Sequence, residues 1–212
     1  VPPASVKDAI IDIVKNEPEM ELHGYPNNAG YEDVRQAVAD YTNNTYGTDF
    51  SAENIIMTVG AAGGLNVALK AVINPGDEVI VIAPYFGEYD NYISNFDGVK
   101  VMVDADLERF AINFEDFEKK ITAKTKCVII NTPNNPTGAV YTEDDIKKMA
   151  AILEKKQKEF GTSIYLFSDE PYREIAFNGL EIPYVTKYYR NTIVGYSYSK
   201  SLSLPGERIG YL

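Results

Sequence analysis

The sequence has little cysteine or histidine, the residues on which most zinc sites and thiol chemistry depend. It contains one cysteine, one histidine and no tryptophan in 212 residues. A single cysteine cannot form a disulfide within the chain, and the low count is typical of proteins kept in a reducing compartment. Because Cys127 begins the apolar run at residues 127–130, we expect a buried structural thiol and a cytoplasmic protein.

Basic residues and long apolar runs are also scarce. Lys and Arg total 20 against 31 Asp and Glu, which gives a net charge of −11 and a pI near 4.6. Such a chain lacks the basic surface that a phosphate backbone requires, so we expect no nucleic-acid partner. No apolar stretch approaches the ~20 residues of a membrane span, and the N-terminal residues lack the features of a signal peptide. We therefore expect no membrane partner.

Short apolar runs alternate with longer amphipathic segments along the chain. Candidate strands lie at residues 54–58, 78–82, 99–103, 127–131, 164–168, 192–196 and 208–212. Candidate helices lie at residues 5–16, 31–46, 62–73, 86–95, 114–120 and 142–160. The strands are nearly continuous Val and Ile, as in strands covered on both faces. The alternation predicts one α/β domain over residues 1–212, a three-layer α/β/α sandwich with a mostly parallel seven-stranded sheet.

Ligands of such sheets bind at the carboxyl ends of the strands, so the residues that follow each strand are candidates for a site. Gly60, Ala61 and Ala62 follow the first strand and lead into a helix. Their small side chains let backbone N–H groups approach a phosphate, although a plain strand-to-helix turn uses the same residues. Phe86 follows the second strand, where an aromatic ring either stacks on a flat cofactor or packs in the core.

Three polar side chains follow the fourth and fifth strands. Asn135 lies in a turn at residues 131–138, where two prolines and a glycine fix the backbone. Asp169 follows the fifth strand, and Tyr172 comes three residues later, after a rigid proline. A carboxylate at this place can pair with a protonated ring nitrogen while the phenol binds a ring oxygen. A capping acid and a packed tyrosine are the alternative.

The segment at residues 197–210 places Lys200 among small hydroxyl residues rather than in a charge run. A lysine in this setting can form an imine with a carbonyl cofactor, whereas a solvated surface lysine is the alternative. Ser197, Ser199 and Arg208 flank it and can bind a phosphate, which arginine holds through a bidentate fork. The segment therefore predicts a lysine beside an anion site.

This segment resembles the lysine signature of class I and II aminotransferases, which depend on pyridoxal phosphate (PLP). The pattern is small, apolar, small, Lys, followed by Pro-Gly-x-Arg-x-Gly. The elements Asn135-Pro136-Thr137-Gly138 and Asp169-x-x-Tyr172 match the same family in the same order. The resemblance covers residues 25–212. It implies the large, cofactor-binding domain of an aspartate aminotransferase-like enzyme of fold type I.

The resemblance implies a role for each residue around the cofactor ring. Lys200 binds PLP covalently through its amine, and later moves the proton of the substrate α-carbon. Asp169 keeps the pyridine nitrogen protonated, while Tyr172 and Asn135 hydrogen bond the ring oxygen. Phe86 stacks on the ring, at a position where many relatives have tryptophan.

The remaining candidates form the phosphate site in this resemblance. The amides of Ala61 and Ala62 hold the phosphate together with Ser197 and Arg208. The two alanines stand where relatives often have Ser, Thr or Lys, so backbone donors are expected to contribute more here. Tyr25 resembles the tyrosine that reaches the phosphate of the neighbouring subunit, which implies a homodimer with its sites at the interface.

The resemblance also implies the reaction, which is amino-group transfer between an amino acid and a 2-oxo acid. Aspartate with 2-oxoglutarate is the first pair to test. We expect the chain to lack the family's N-terminal arm and its small C-terminal domain, which supplies the arginine for the substrate carboxylate. We therefore expect it to bind PLP and to transaminate poorly by itself. The alternatives are another fold type I PLP enzyme, such as a carbon–sulfur lyase, and a non-catalytic PLP-binding module.

Overall fold

The structure is a computed structural model that describes residues 1–106 and 109–212. The described helices are α1 (Ala4–Asn16), α2 (Glu19–His23), α3 (Glu32–Tyr46), α4 (Gly60–Val72), α5 (Tyr89–Ser94), α6 (Phe114–Lys120), α7 (Glu143–Phe160) and α8 (Tyr198–Ser201). The described strands are β1 (Met57–Val59), β2 (Glu78–Ile82), β3 (Val99–Val103), β4 (Ala105–Asp106), β5 (Ala111–Ile112), β6 (Thr125–Asn131), β7 (Tyr165–Asp169), β8 (Thr192–Ser197) and β9 (Ile209–Tyr211). Within the described residues, no helix is long and apolar enough to cross a membrane.

The main sheet has seven strands in the order β1-β9-β8-β7-β6-β2-β3. Strands β8, β7, β6, β2 and β3 pair in parallel, and β9 is antiparallel to both of its neighbours. The expectation of a mostly parallel seven-stranded sheet is therefore confirmed. In this sheet the carboxyl ends of β6, β7 and β8 lie side by side, because the three strands are adjacent and point the same way.

Two apolar layers cover the two faces of the sheet. Alternate residues of β2 face opposite ways, so Ile80 packs with α6 and α7 while Val79 and Val81 pack with α4 and α5. Cys127 lies in the second layer and is buried, as expected, and burial raises the pKa of its thiol to about 12. Helices on both faces explain why the strands read as continuous apolar runs, and they confirm the three-layer α/β/α sandwich.

Two of the expected elements begin three residues later than predicted, and the others begin within two residues of the predicted position. The strand expected at 54–58 is β1, which begins at Met57, because Ala52–Asn54 forms a 3-10 helix that the Asn54 side chain caps through the backbone N–H of Ser51. The helix expected from residue 86 is α5, which begins at Tyr89, because the preceding residues form a tight turn closed by a Tyr89 N–H to Phe86 carbonyl bond of 3.0 Å.

Three short elements were not predicted from the sequence. These are α2, the two-stranded ribbon of β4 and β5, and α8, which is four residues long and carries Lys200. Each is too short to show a hydrophobic period, which explains why pattern reading missed them. By contrast, α6 has the predicted bounds, and α7 is capped by Thr142, whose hydroxyl accepts from the Asp145 N–H at 3.2 Å.

Strand β9 lies close to the start of α4 because of two glycines. A Cβ atom at Gly210 would lie 2.5 Å from the Tyr196 carbonyl oxygen and 2.9 Å from the Cα of Gly60. Gly60 itself has a positive φ of 70°, which favours glycine. Because no side chain separates these backbones, the residues just before β9, Arg208 among them, reach the first turn of α4.

Replacing Gly210 with alanine is expected to lower the free energy of unfolding by about 1–3 kcal/mol, because the methyl group overpacks a contact between two backbones. Equilibrium unfolding in urea measures the change. Gly206→Ala is the matched control, since nothing lies within 4 Å of a Cβ atom built there. Equal stabilities of the two variants would contradict the close approach of β9 to α4.

Candidate active site

A cavity of about 310 Å³ lies at the carboxyl ends of β6, β7 and β8. Its lining consists of Ala61, Ala62, Leu65, Phe86, Tyr92, Asn131, Asn135, Asp169, Pro171, Tyr172, Ser197, Ser199, Lys200, Pro205 and Arg208. All the site residues predicted from the sequence belong to this lining except Gly60 and Tyr25. Gly60 lies against the Arg208 guanidinium, and Tyr25 is fully exposed and outside the cavity. The fold therefore brings residues from five separate segments of the chain into one site.

Asp169 is the most deeply buried charged group of the cavity. It ends β7 and is only 9% exposed, and burial raises the pKa of its carboxyl group to about 6. Its Oδ2 accepts a hydrogen bond from the Tyr89 hydroxyl at 2.7 Å, while its Oδ1 is buried with no hydrogen-bond partner among the described residues. A buried carboxylate oxygen without a hydrogen-bond partner destabilises the folded protein, so a donor from a ligand in the cavity would stabilise it.

Tyr89 is a site residue that the sequence reading missed. Its hydroxyl bond stabilises the ionised form of Asp169 and thereby opposes the effect of burial on the pKa of that carboxyl group. Its ring also meets Phe86 edge to face, with centroids 5.7 Å apart. The sequence signal was the aromatic spacing 85, 89 and 92 on one helical face, which normally indicates core packing. Tyr89 is indeed in the core, but its hydroxyl points to the site.

Lys200, Tyr172 and Asn135 lie together on another side of the cavity. The Asn135 Nδ2 donates to the Tyr172 hydroxyl at 3.4 Å, and the Lys200 Nζ lies 5.8 Å from the centre of the Tyr172 ring. Burial raises the pKa of the Tyr172 phenol, and the nearby Asp169 charge raises it further. The phenol therefore remains a neutral hydrogen-bond donor at physiological pH, and the Lys200 amine is within the same cavity.

The helix that carries Lys200 is held by hydroxyl groups. Ser197 caps α8, since its Oγ accepts from the Ser199 N–H at 3.2 Å and lies 2.7 Å from the Ser199 hydroxyl. The buried Tyr196 donates its hydroxyl to Ser201 Oγ at 2.7 Å. These bonds fix both ends of a four-residue helix that is too short to be stable alone.

The first turn of α4 and Arg208 form a corner of the cavity, the α4 corner, that is rich in hydrogen-bond donors. This turn, at Gly60, Ala61 and Ala62, has no side-chain cap and no acidic residue, so its backbone N–H groups are free to bind an anion. The Arg208 guanidinium packs on Gly60, where a Cβ atom would lie 2.5 Å from its Nη2. Its Nη1 also donates to the Pro205 carbonyl at 2.9 Å. Together with the hydroxyls of Ser197 and Ser199, this corner suits a phosphate group.

A model of the family "Aminotransferase class I and II" matches residues 2–212. The chain belongs to this family. A crystal structure of an aminotransferase from Eubacterium rectale superposes with a TM-score of 0.97 at 50% sequence identity, covering 99% of this chain and 53% of that one. Aspartate aminotransferase from Thermus thermophilus, solved with maleate, has a TM-score of 0.90 at 31% identity, over 99% and 53% of the two chains. The aspartate aminotransferase-like fold of this family member is thereby confirmed.

Curated relatives of this aminotransferase-family chain are similar over most of its length. A probable N-acetyl-LL-diaminopimelate aminotransferase of Bacillus subtilis is 35% identical over 89% of this chain and 47% of its own. An aspartate aminotransferase of Pyrococcus horikoshii is 33% identical over 89% of this chain and 47% of its own. The chain thus spans about half the length of the curated relatives it matches.

Tyr89→Phe is expected to raise the pKa of Asp169 further above about 6, because it removes a hydrogen bond that stabilises the carboxylate. A carbon-13 NMR titration of aspartate carboxyl groups in the ligand-free protein measures the pKa, and Asp169→Asn assigns the resonance. Tyr92→Phe is the matched control, since Tyr92 lines the same cavity and gives no hydrogen bond to Asp169. If Y89F left the titration unchanged, the proposed bond would not exist in solution.

Proposed function

We propose that this chain is the PLP-binding large domain of an aminotransferase, which moves an amino group between an amino acid and a 2-oxo acid. The observation that carries the proposal is the unpartnered Oδ1 of the buried Asp169. The same cavity also contains the amine of Lys200 and the α4 corner. Membership of a family whose members generally depend on PLP supports the cofactor assignment.

The residues of the cavity fit PLP group by group. A protonated pyridine nitrogen supplies the donor that Asp169 Oδ1 lacks, and pairing with a cation favours the ionised carboxylate. The phosphate suits the uncapped first turn of α4 with Arg208, Ser197 and Ser199. The aldehyde can react with the amine of Lys200, which lies in the same cavity.

PLP, when bound, supplies an aldehyde that condenses with amines and a ring that withdraws electrons from the attached carbon. The contribution of this chain is to orient and charge that ring. The Asp169 carboxylate would accept from the ring nitrogen and keep its proton in place. The amine of Lys200 would hold the cofactor and, once a substrate amine displaces it, would take the proton from the substrate α-carbon and deliver it to the cofactor carbon that carried the aldehyde.

The other polar and aromatic groups orient the ring. Tyr172 and Asn135, which already bond each other, donate to the ring oxygen. Phe86 covers a ring face, and at 37% exposure its own ring remains accessible for stacking. Tyr89 packs edge to face against Phe86 and donates its hydroxyl to Asp169, which stabilises both side chains. The alanines at 61 and 62 leave the phosphate to backbone amides, the two serines and Arg208.

Partners and location follow from the same proposal. Tyr25 is fully exposed in its own chain, so its ring is free to reach the phosphate site of a second copy, as expected for a homodimer. The buried thiol of Cys127 suits the cytoplasm. Aspartate and 2-oxoglutarate are the substrates to test first, since aspartate aminotransferases are among the similar proteins.

Mixed with PLP, the protein is expected to gain a pH-sensitive visible absorption band that Lys200→Ala lacks, because the chromophore requires covalent attachment to the lysine amine. Lys124→Ala, which removes an exposed lysine just before β6, at the end of that strand opposite to the site, is the control and should keep the band. Aspartate should then bleach the band slowly, in a single half-reaction that forms at most one oxaloacetate per PLP, because we expect poor turnover by this chain alone. Release of ammonia would instead indicate a lyase, and no band in the parent would refute PLP binding.

Arg208→Gln is expected to raise the dissociation constant of PLP about tenfold or more, because it removes a charged partner of the phosphate. The dissociation constant of pyridoxal, which has no phosphate, should stay the same. Absorbance titrations with the two compounds measure both values. Equal losses for PLP and pyridoxal would mean that Arg208 acts on the ring or on folding and not on the phosphate.

A further inference from the structure

The turn that follows β7 has a second face, directed away from the cavity. Asp169 and Tyr172 line the cavity, whereas Glu170 and Arg173 do not contribute to its lining. The side chain of Glu170 is 0% exposed and that of Arg173 is 5% exposed, and the two form an ion pair three residues apart. The turn therefore holds two pairs of residues spaced three apart. Asp169 and Tyr172 face the cavity, and Glu170 and Arg173 are buried in the protein.

Every polar atom of Glu170 has a partner. Its Oε1 accepts from the Ser168 hydroxyl at 2.7 Å, and its Oε2 accepts from the Arg173 Nε and forms an ion pair with the Arg173 Nη2. Its backbone N–H donates to the Gly195 carbonyl of β8 at 2.8 Å. A carboxylate buried so completely requires such partners, and the bonds fix the residue that directly follows Asp169.

Arg173 fixes the other end of the turn. Its Nη1 donates to the Ile182 carbonyl at 3.0 Å and its Nη2 to the Pro183 carbonyl at 3.2 Å. Its guanidinium carbon lies 5.0 Å from the ring centre of Tyr46 and 4.9 Å from that of Tyr184, and these two rings stack at 4.4 Å. Arg173, which directly follows Tyr172, is thus held against the end of α3 and against residues 182–184.

We propose that the Glu170–Arg173 pair is a positioning device that sets the orientation of Asp169 and Tyr172 toward bound PLP. The inference rests on the proposed function. Each residue of the buried pair directly follows one of the two ligand-facing residues, so a shift of the pair moves the acid and the phenol. Apolar side chains of similar size can stabilise a core as well as a buried ion pair does, whereas the planar arginine fork also fixes direction.

The double variant E170Q/R173M tests the role without leaving an unpaired buried charge. Urea unfolding first identifies folded protein, and the dissociation constant of PLP and the induced circular dichroism of bound PLP are then measured. We expect the PLP constant to rise about tenfold and the induced band to weaken, because the ring loses its fixed partners. We expect inorganic phosphate to contact the α4 corner alone, so its dissociation constant should be the same in the variant and the parent.

Tyr41→Phe is the matched control, because it removes a 2.9 Å hydrogen bond to Glu174, which lies beside Arg173 in the 3-10 helix Arg173–Ile175, and leaves the ion pair intact. It should match the parent in every measurement. If E170Q/R173M does not fold, Arg173→Lys takes its place, since it keeps the charge and loses the fork. A folded variant with the parent's PLP constant and induced band would overturn the inference and leave the pair a role in stability alone.

Ligand-free crystal structures test the same inference without PLP. In the variant, Tyr172 should move relative to Asn135, and the 2.7 Å bond between Tyr89 and Asp169 should change. Unchanged contacts would overturn the positioning role. A parent protein that binds no PLP would instead refute the proposed function, so the two failures are distinct.

Discussion

The site is organised around a carboxylate that the fold removes from water at the end of a parallel strand. Burial raises the pKa of Asp169 to about 6, whereas in the unfolded chain the pKa is about 3.9. The folded chain therefore binds a proton there more tightly, and the stability that this contributes is lost as the pH rises from about 4 to about 6. At neutral pH the ionised group opposes folding, and a cationic ligand group at Oδ1 relieves that cost.

The rest of the structure serves to surround this carboxylate. The adjacent strands β6, β7 and β8 end at one edge and bring Asn131, Asp169 and Ser197 together. The antiparallel β9, held against α4 through Gly60 and Gly210, places Arg208 at a helix N-terminus. The half of the cavity around Asp169 and the half around Arg208 therefore depend on different parts of one sheet, and both depend on its strand order.

The sequence predicted the features that are local. Strands at 78–82 and 99–103 and the helix at 114–120 have the predicted bounds, because short apolar runs mark the two strands and Asn113 caps the start of the helix. Site residues that follow strands were also predicted, since the carboxyl edge of a parallel sheet collects them. Gly60 proved to support Arg208 rather than to line the cavity. The role of Tyr25 stays a prediction, because it concerns a second copy.

What the sequence could not predict are contacts between distant residues. The hydrogen bond from Tyr89 to Asp169 joins residues 80 positions apart. A tyrosine on an apolar helical face normally predicts packing in the core. The stack of Tyr46 and Tyr184 on Arg173 likewise appears only when α3 and residues 182–184 come together. The short α8 was missed because four residues show no period, although Lys200, which it carries, was predicted as a site residue from its neighbours.

The attachment of PLP to Lys200 is tested most directly by borohydride reduction of the PLP-treated protein, followed by proteolysis and mass spectrometry. Reduction makes a lysine-bound cofactor permanent and marks the peptide that carries it. We expect one label per chain, on the peptide that contains Lys200. Label spread over exposed lysines, or none on that peptide, would contradict the assignment of this cavity as the PLP site.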